Sequence, residues 1–468
     1  MTLKAKNHRL IILILVFLLG LVFIAATLLI FILDINIEQS LIITIASIIV
    51  AIFLFFIVFK QFQIGFAILM FMLPFEELLG IDGGGSFTRY LIIVNLIGML
   101  SQKVFVRPNK IKFYSNRILQ VFLILIIWTF TTSFWSTYPE RSFVITTTSI
   151  GNLILLYSVF ISNIKWLSIY WISMILGSFV AVNLTLLLPG SQGLENDVTR
   201  FTTGGQDPND LAGLLLIAMG TGMYGIYPKI QSKIGKILLI LILCCLLVAV
   251  VFTQSRTGLI ALLMLLLIRF SDSKQKNVYG YYVLFGIVVS LIYVFAGDTI
   301  SNIVSNYASQ IFARFNELDE NTLAQARVNV WEATIEAIKQ NFFLGVGAGN
   351  MPYVIDNYSN EILPRSSYDP NQGLVAHNII LGIWGETGLI GLIIFLLMFF
   401  ITFKQAFVLA KDHYLGKSML IALFVVCIMG MSLSWENKKI VYIILGTISA
   451  LWRYRNNSLG HSTNVKIN

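Results

Sequence analysis

The sequence predicts an all-α, polytopic integral membrane protein, with about 12–14 transmembrane helices and one long extracytoplasmic loop that contains short helices. Three observations predict it. Of the 468 residues, 57% are hydrophobic and only 12% are charged, too little polar surface for a soluble chain of this length. Mean hydropathy is +0.83. Apolar runs of the length that a hydrocarbon core of about 30 Å requires recur along the chain.

The runs lie at 10–33, 40–59, 62–79, 88–103, 118–136, 142–161, 167–189, 210–227, 237–254, 256–269, 279–297, 376–403, 418–434 and 440–453. The first is longer than a signal-peptide core and is read as an uncleaved helix. Three of them, 88–103, 256–269 and 440–453, are short and are expected to be tilted, broken or re-entrant. The chain divides into an N-terminal transmembrane half (1–189), a central transmembrane region (190–297), the loop (298–375), and C-terminal helices with a tail (376–468).

The charges fit this layout. Lys4, Lys6 and Arg9 precede the first run; Lys103, Arg107, Lys110, Lys112 and Arg117 follow the fourth. Lys229, Lys233, Lys236, Arg269, Lys274, Lys276, Lys404, Lys411, Lys417, Arg453 and Arg455 fall on the same side. The positive-inside rule makes that side cytoplasmic, with both termini there. Lys438 and Lys439, in a short external turn, are the exception. Cys244, Cys245 and Cys427 sit in apolar runs, with neither a disulfide framework nor zinc spacing. No bound metal, cofactor or nucleic acid is expected.

Within the loop, Thr322 to Gln340 reads as an amphipathic helix with Val328, Trp331, Ile335 and Ile338 on one face. "GVGAGN" follows, from Gly345 to Asn350. It could cradle phosphate on backbone N–H groups, but no strand–helix unit frames it, so a loop is the preferred reading. Asp207-Pro208-Asn209-Asp210 reads as a turn and N-cap.

Of four histidines, only His377 falls on the external side, where the 376–403 run begins. The positive end of a helix dipole disfavours an imidazolium, and a neutral imidazole suits a general base. An interfacial histidine that only bonds a loop is the bland alternative. Arg256 stands between two apolar runs, where a charge is costly and faces a cavity or the protein interior. Arg327 and Arg200 are also external. Arginines converging in a planar fork suit a diphosphate or an acidic glycan. Glu386 lies about 14 Å along the helix from His377 and is expected to be a buried structural partner. Gly382, Gly385, Gly388 and Gly391 allow close helix packing and a bend near Gly385 to Gly388.

Taken in order, these residues resemble the O-antigen ligase and polymerase superfamily. The resemblance rests on His377-Asn378 followed by Gly388 to Gly391, on Ser255 to Gly258 ("SRTG"), on Arg327 and Trp331 leading into Gly345 to Asn350, and on Asp207 to Ala212 ("DPNDLA"). It is close over roughly residues 200 to 400. It implies a GT-C-like membrane glycosyltransferase that takes an undecaprenyl-diphosphate-linked glycan as donor, works without a nucleotide sugar and, like the ligases, without a metal. Carried over by motif, His377 is the base, Arg256 and Arg327 contact the diphosphate, Arg200 has a less certain counterpart, and Asn378, Glu386, Gly388 and Gly391 support the site.

The expected reaction is inverting polymerisation of lipid-linked oligosaccharide units on the extracytoplasmic face of a bacterial plasma membrane, for a capsule, exopolysaccharide, O-antigen or teichuronic-type polymer. A glycan acceptor and the bilayer are the expected partners, with a chain-length regulator and a flippase as further candidates. One alternative is a ligase that transfers the glycan to lipid A core or another acceptor. A second is a lipid-linked sugar transporter or flippase, which the absence of a visible repeat and the one-sided polar cluster disfavour.

Overall fold

The computed structural model describes residues 61–76, 80–81, 85–101, 116–187, 193–195, 198–203, 207–271, 323–359 and 374–464. The runs at 10–33, 40–59 and 279–297 lie outside the described residues.

The described chain is helical apart from two short antiparallel hairpins, β1 (Gly80–Ile81) with β2 (Gly85–Ser86) and β3 (Gly193–Glu195) with β4 (Val198–Arg200). The helices are α1 (Phe62–Met72), α2 (Phe87–Ser101), α3 (Arg117–Thr131), α4 (Pro139–Ile161), α5 (Ile164–Leu187), α6 (Pro208–Thr221), α7 (Lys233–Phe252) and α8 (Arg256–Ser271). They continue with α9 (Leu323–Gln340), α10 (Met351–Val354), α11 (Ile379–Asp412), α12 (Tyr414–Gly430) and α13 (Lys439–Asn464). Among the described residues, six helical segments are long and apolar enough to cross a membrane: Arg117–Phe134, Pro139–Ile161, Ile164–Thr185, Pro208–Lys229, Lys233–Phe252 and Ile379–Asp412. The protein is an all-α, multi-pass membrane protein.

The helix starts follow their capping chemistry. Asn116 caps α3 through Ile118 and Leu119 N–H, and Asp207 caps α6 through Asn209 N–H at 2.7 Å with Pro208 behind it. Small and aromatic side chains set part of the packing. Trp435, almost fully buried, lies where a Cβ on Gly213 of α6 would sit.

Helix α13 decides the shape of the bundle. It runs beside only the second half of α4: Asn152 Nδ2 donates to Asn437 O just before α13 begins, and Arg453 Nη2 donates to Ser162 O beyond the end of α4. Asn152 is thirteen residues into α4, about 20 Å from its Pro139 end. The turn from Met431 to Lys438 is therefore recessed well inside the bundle.

Helix α11 is broken. At Gly388, φ is 67° and ψ −175°, non-helical values inside a 34-residue element. This is the bend expected between Gly385 and Gly388, and its cause is an inserted loop. Leu389 N–H leaves the helix ladder and donates to Phe342 O at 2.9 Å. The freed carbonyls of Gly385 and Glu386 take Val346 and Gly347 N–H, both at 2.9 Å, and that of Thr387 takes Trp128 Nε1 at 2.9 Å. A broken helix is tolerated in an apolar bundle only where its backbone groups are re-paired in this way.

The loop helix is present where expected, but its buried face differs. Val328 and Ile335 are exposed, and the buried residues are Val330, Ala333, Thr334, Ala337 and Ile338. The reason is close approach. A Cβ on Gly385 would meet Met351, Thr334 and Ile338, so α9 and α10 approach α11 closely there. Val330, Ala333 and Ala337 join Val346, Met351, Val354 and Ile355 in a small core of their own.

Candidate functional site

Two segments are bonded to the recessed turn after α12, and a third fixes one of them. Thr257 Oγ1, next to Arg256, shares a hydrogen bond of 2.7 Å with Ser432 Oγ. Asn378 Nδ2, next to His377, donates to Met431 O at 3.3 Å. Consecutive residues of one turn thus hold the flanks of Arg256 and His377. From the loop side, Trp331 Nε1 donates to Ala376 O at 2.6 Å, fixing the chain just before His377. Arg327 is one turn before Trp331 on α9, and its side chain lies outside the described residues.

His377 is half-buried and does not itself open the helix. Asn378 is the N-cap, accepting from Ile380 N–H at 3.0 Å and Leu381 N–H at 3.1 Å. His377 precedes the cap with φ 46°. The other non-glycine residue with positive φ among those described is Gln254 (φ 52°), two positions before Arg256. Such backbone costs about 1–3 kcal/mol and clusters where a side chain must be held in one direction. Two such residues, each beside a candidate group, are a signal that no sequence pattern carries.

Arg256 begins α8 half-buried, and among the described residues its guanidinium makes no hydrogen bond or ion pair. Arg200 is different. It is buried, its Nε donates to Thr253 O at 3.0 Å and its Nη2 to Asn209 Oδ1 at 3.3 Å. It ties hairpin β3–β4 to the end of α7 and the start of α6.

"GVGAGN" has no N–H to offer a phosphate. Its amides go to Asn341 O, Gly385 O, Glu386 O, Thr132 Oγ1, Glu386 Oε2 and Gly347 O. Three of its glycines have φ of 70°, 105° and 71°, which the wrapping requires. Gly349 N–H donates to Glu386 Oε2 at 2.8 Å, so Glu386 clasps the loop. Asn350 continues the clasp, accepting Tyr138 N–H at 2.7 Å. Gly391 leaves room for Thr387 of the preceding turn and lets Trp128 pack against α11.

The segment Ser434-Trp435-Glu436-Asn437-Lys438-Lys439 was legible only as a breach of the charge rule. Lys438 pairs with Asp210 and Lys439 with Glu76, and Trp435 Nε1 donates to Asp210 Oδ1 at 2.7 Å. Glu436 lies beside the first half of α11, its Oε1 3.9 Å from where a Cβ on Gly382 would be. The residue as a whole is half-buried, but its Oε2 is enclosed and has no hydrogen-bond partner among the described residues. Burial pushes the Glu436 carboxyl up to about 7, with Lys438 lowering it and Asp210 raising it.

Residues 239–396, about a third of the chain, match the family model described as O-antigen ligase. Over that stretch the chain is similar to the O-antigen ligase family. The match contains Arg256, Arg327, His377 and Glu386 and stops short of the recessed turn. No curated protein matches the chain. The described residues form a multi-pass membrane protein whose central third is similar to that family.

Proposed function

We propose that this O-antigen ligase-type protein polymerises oligosaccharide units carried on undecaprenyl diphosphate, at the extracytoplasmic face of the plasma membrane. One observation carries the reading: Ser432 and Met431 hold the neighbours of Arg256 and His377 at the same turn, and the half-buried Arg256 guanidinium has no partner among the described residues. A fixed charge in a recessed, water-poor site stabilises a leaving diphosphate far better than one in bulk water.

In the proposed reaction His377 removes the proton from an acceptor sugar hydroxyl. That oxygen attacks the anomeric carbon as the bond to the diphosphate oxygen breaks. The diphosphate leaves with its charge held by Arg256 and Arg327, and the single displacement inverts the anomeric centre. Arg200, bonded to Thr253 and Asn209, is assigned to positioning the turn before Arg256 at the edge of the diphosphate site. Asn378 orients His377, and Glu386 with Gly388 and Gly391 holds the broken helix.

The test is transfer on purified undecaprenyl-diphosphate-linked glycan in proteoliposomes. His377→Ala and Arg256→Ala are each expected to lose at least about 100-fold in rate. Full transfer by either variant overturns the assignment.

A further inference from the structure

Before its break, α11 carries two glycines, and only one of them serves packing. A Cβ on Gly385 would run into the Met351 side chain. A Cβ on Gly382 would have one atom within 4 Å beyond its own helix backbone, Glu436 Oε1 at 3.9 Å. Glycine costs a helix about 0.5–1 kcal/mol against alanine, so Gly382 sacrifices stability and leaves the space beside it open. That space lies along the recessed turn. Gly382 N–H donates to Asn378 O at 2.8 Å, so the two residues share one face of α11, one helical turn apart. Asn378 meets the start of the recessed turn at Met431, and Gly382 meets it further on at Glu436. Glu436 thus stands about 6 Å along α11 from Asn378, the residue that follows His377.

Nothing in the packing calls for a carboxyl at Glu436. Glu386, the acid on the same half of α11, clasps Gly349 N–H. Trp435 and Lys438, which flank Glu436 on the turn, both bond Asp210. Glu436 is held by its backbone, whose carbonyl accepts Tyr442 OH at 2.6 Å. Its Oε1 borders the space beside Gly382, and its Oε2, enclosed behind, has no hydrogen-bond partner among the described residues. The groups that act on this carboxyl are its own N–H, Lys438 of the same turn, Asp210 of α6, Glu386 of α11 and Tyr442 of α13. Burial outweighs the N–H and the lysine and keeps the carboxyl near 7, where it both accepts from and donates to hydroxyls. A recessed acid left so poorly satisfied marks a polar ligand rather than ordinary packing.

We propose that Glu436 holds the acceptor sugar: its carboxyl hydrogen-bonds a hydroxyl of a sugar ring seated in the space beside Gly382, next to the hydroxyl that His377 deprotonates. This rests on the glycosyl-transfer reading above and deepens it. No bond is made or broken at Glu436. Its part is to fix the ring, so that one hydroxyl meets His377 and the others do not.

The experiment is isothermal titration of the full chain in phosphatidylcholine nanodiscs with two probes in turn. One is the oligosaccharide released by mild acid from purified undecaprenyl-diphosphate-linked glycan, and the other is decaprenyl diphosphate. Glu436→Ala is expected to bind the oligosaccharide at least about tenfold more weakly and decaprenyl diphosphate within about threefold of wild type. Glu436→Gln, which still accepts from and donates to hydroxyls, is expected to restore oligosaccharide binding to within about threefold. Gly382→Leu fills the space and repeats the loss with Glu436 intact. In transfer assays the free oligosaccharide has no leaving group and serves only as acceptor. Glu436→Ala should raise its KM at least about tenfold and leave that of the lipid-linked donor within about threefold. Unchanged oligosaccharide binding in Glu436→Ala overturns the proposal, as does a wild type that does not bind it. Equal losses for both probes, or a rise confined to the donor KM, overturn it too, the first being what a merely structural role gives. Both probes are read without transfer, so full activity of His377→Ala would sink the catalytic reading and leave the binding result standing.

Discussion

Replacing Gly388 by alanine tests the break in α11 directly. The residue is held at φ 67° and ψ −175°, a region open to glycine and nearly closed to any L side chain, at a cost of about 1–3 kcal/mol. A Cβ there would also overlap the Phe343 carbonyl, so the loop must move away. Movement endangers the bonds from Leu389, Val346 and Gly347 N–H, each with a net worth of about 1 kcal/mol. Together the loss is about 4–6 kcal/mol. Gly382 on the same helix is the matched control. The nearest atom to its added Cβ is 3.9 Å away, and alanine in a regular helix gains about 0.5–1 kcal/mol over glycine. Unfolding midpoints in mixed micelles, read by circular dichroism against denaturing detergent, compare the two. Gly388→Ala should fall well below wild type and Gly382→Ala should match or exceed it. Equal shifts would refute the break and the loop insertion with it.

Three further outcomes follow from the same contacts. Glu386→Ala strips the Gly349 N–H of its acceptor and should cost about 1–3 kcal/mol, whereas Glu386→Gln, which keeps an accepting oxygen, should cost clearly less in the same titration. Glu436 has a folded-state pKa raised from the ordinary 4.5 to about 7, so its contribution is fully present below pH 4.5 and is lost as pH rises to 7. Glu436→Gln should therefore match wild type near pH 4.5 and exceed it above pH 7, by about 3 kcal/mol at the upper end; a stability difference that does not change with pH contradicts this. Thr257→Val and Ser432→Ala should be coupled by at least about 0.5 kcal/mol in a double-mutant cycle, and additive losses would mean that the two segments are not joined there.

Much of the scaffold was legible because apolar runs and charge placement are one-dimensional properties. Every described helix from α1 to α8 and from α11 to α13 begins within three or four residues of its run, and Asp207 caps α6 as its residue type implies. Partners were less legible. The stripe Val328, Trp331, Ile335 and Ile338 ranked large apolar residues first, whereas the helix buries Val330, Ala333, Thr334, Ala337 and Ile338, the alanines against the small core of the loop itself. The strained backbone at His377 and Gln254 depends on what surrounds each residue, which spacing does not encode. The recessed turn left one trace, two lysines on the wrong side of the charge rule. Their partners Asp210 and Glu76 are hundreds of positions away, so that trace read only as an exception.

Arg256 and His377 were proposed from their motifs, and the hydrogen bonds of Ser432 and Met431 give that pairing a physical basis. The most direct measurement is the initial rate of glycan transfer in proteoliposomes holding purified wild type or His377→Ala, with lipid-diphosphate-linked glycan as the only substrate. The account predicts chain extension by wild type, and a loss of at least about 100-fold in a His377→Ala protein that still binds the lipid donor. Transfer at the wild-type rate by His377→Ala would contradict it.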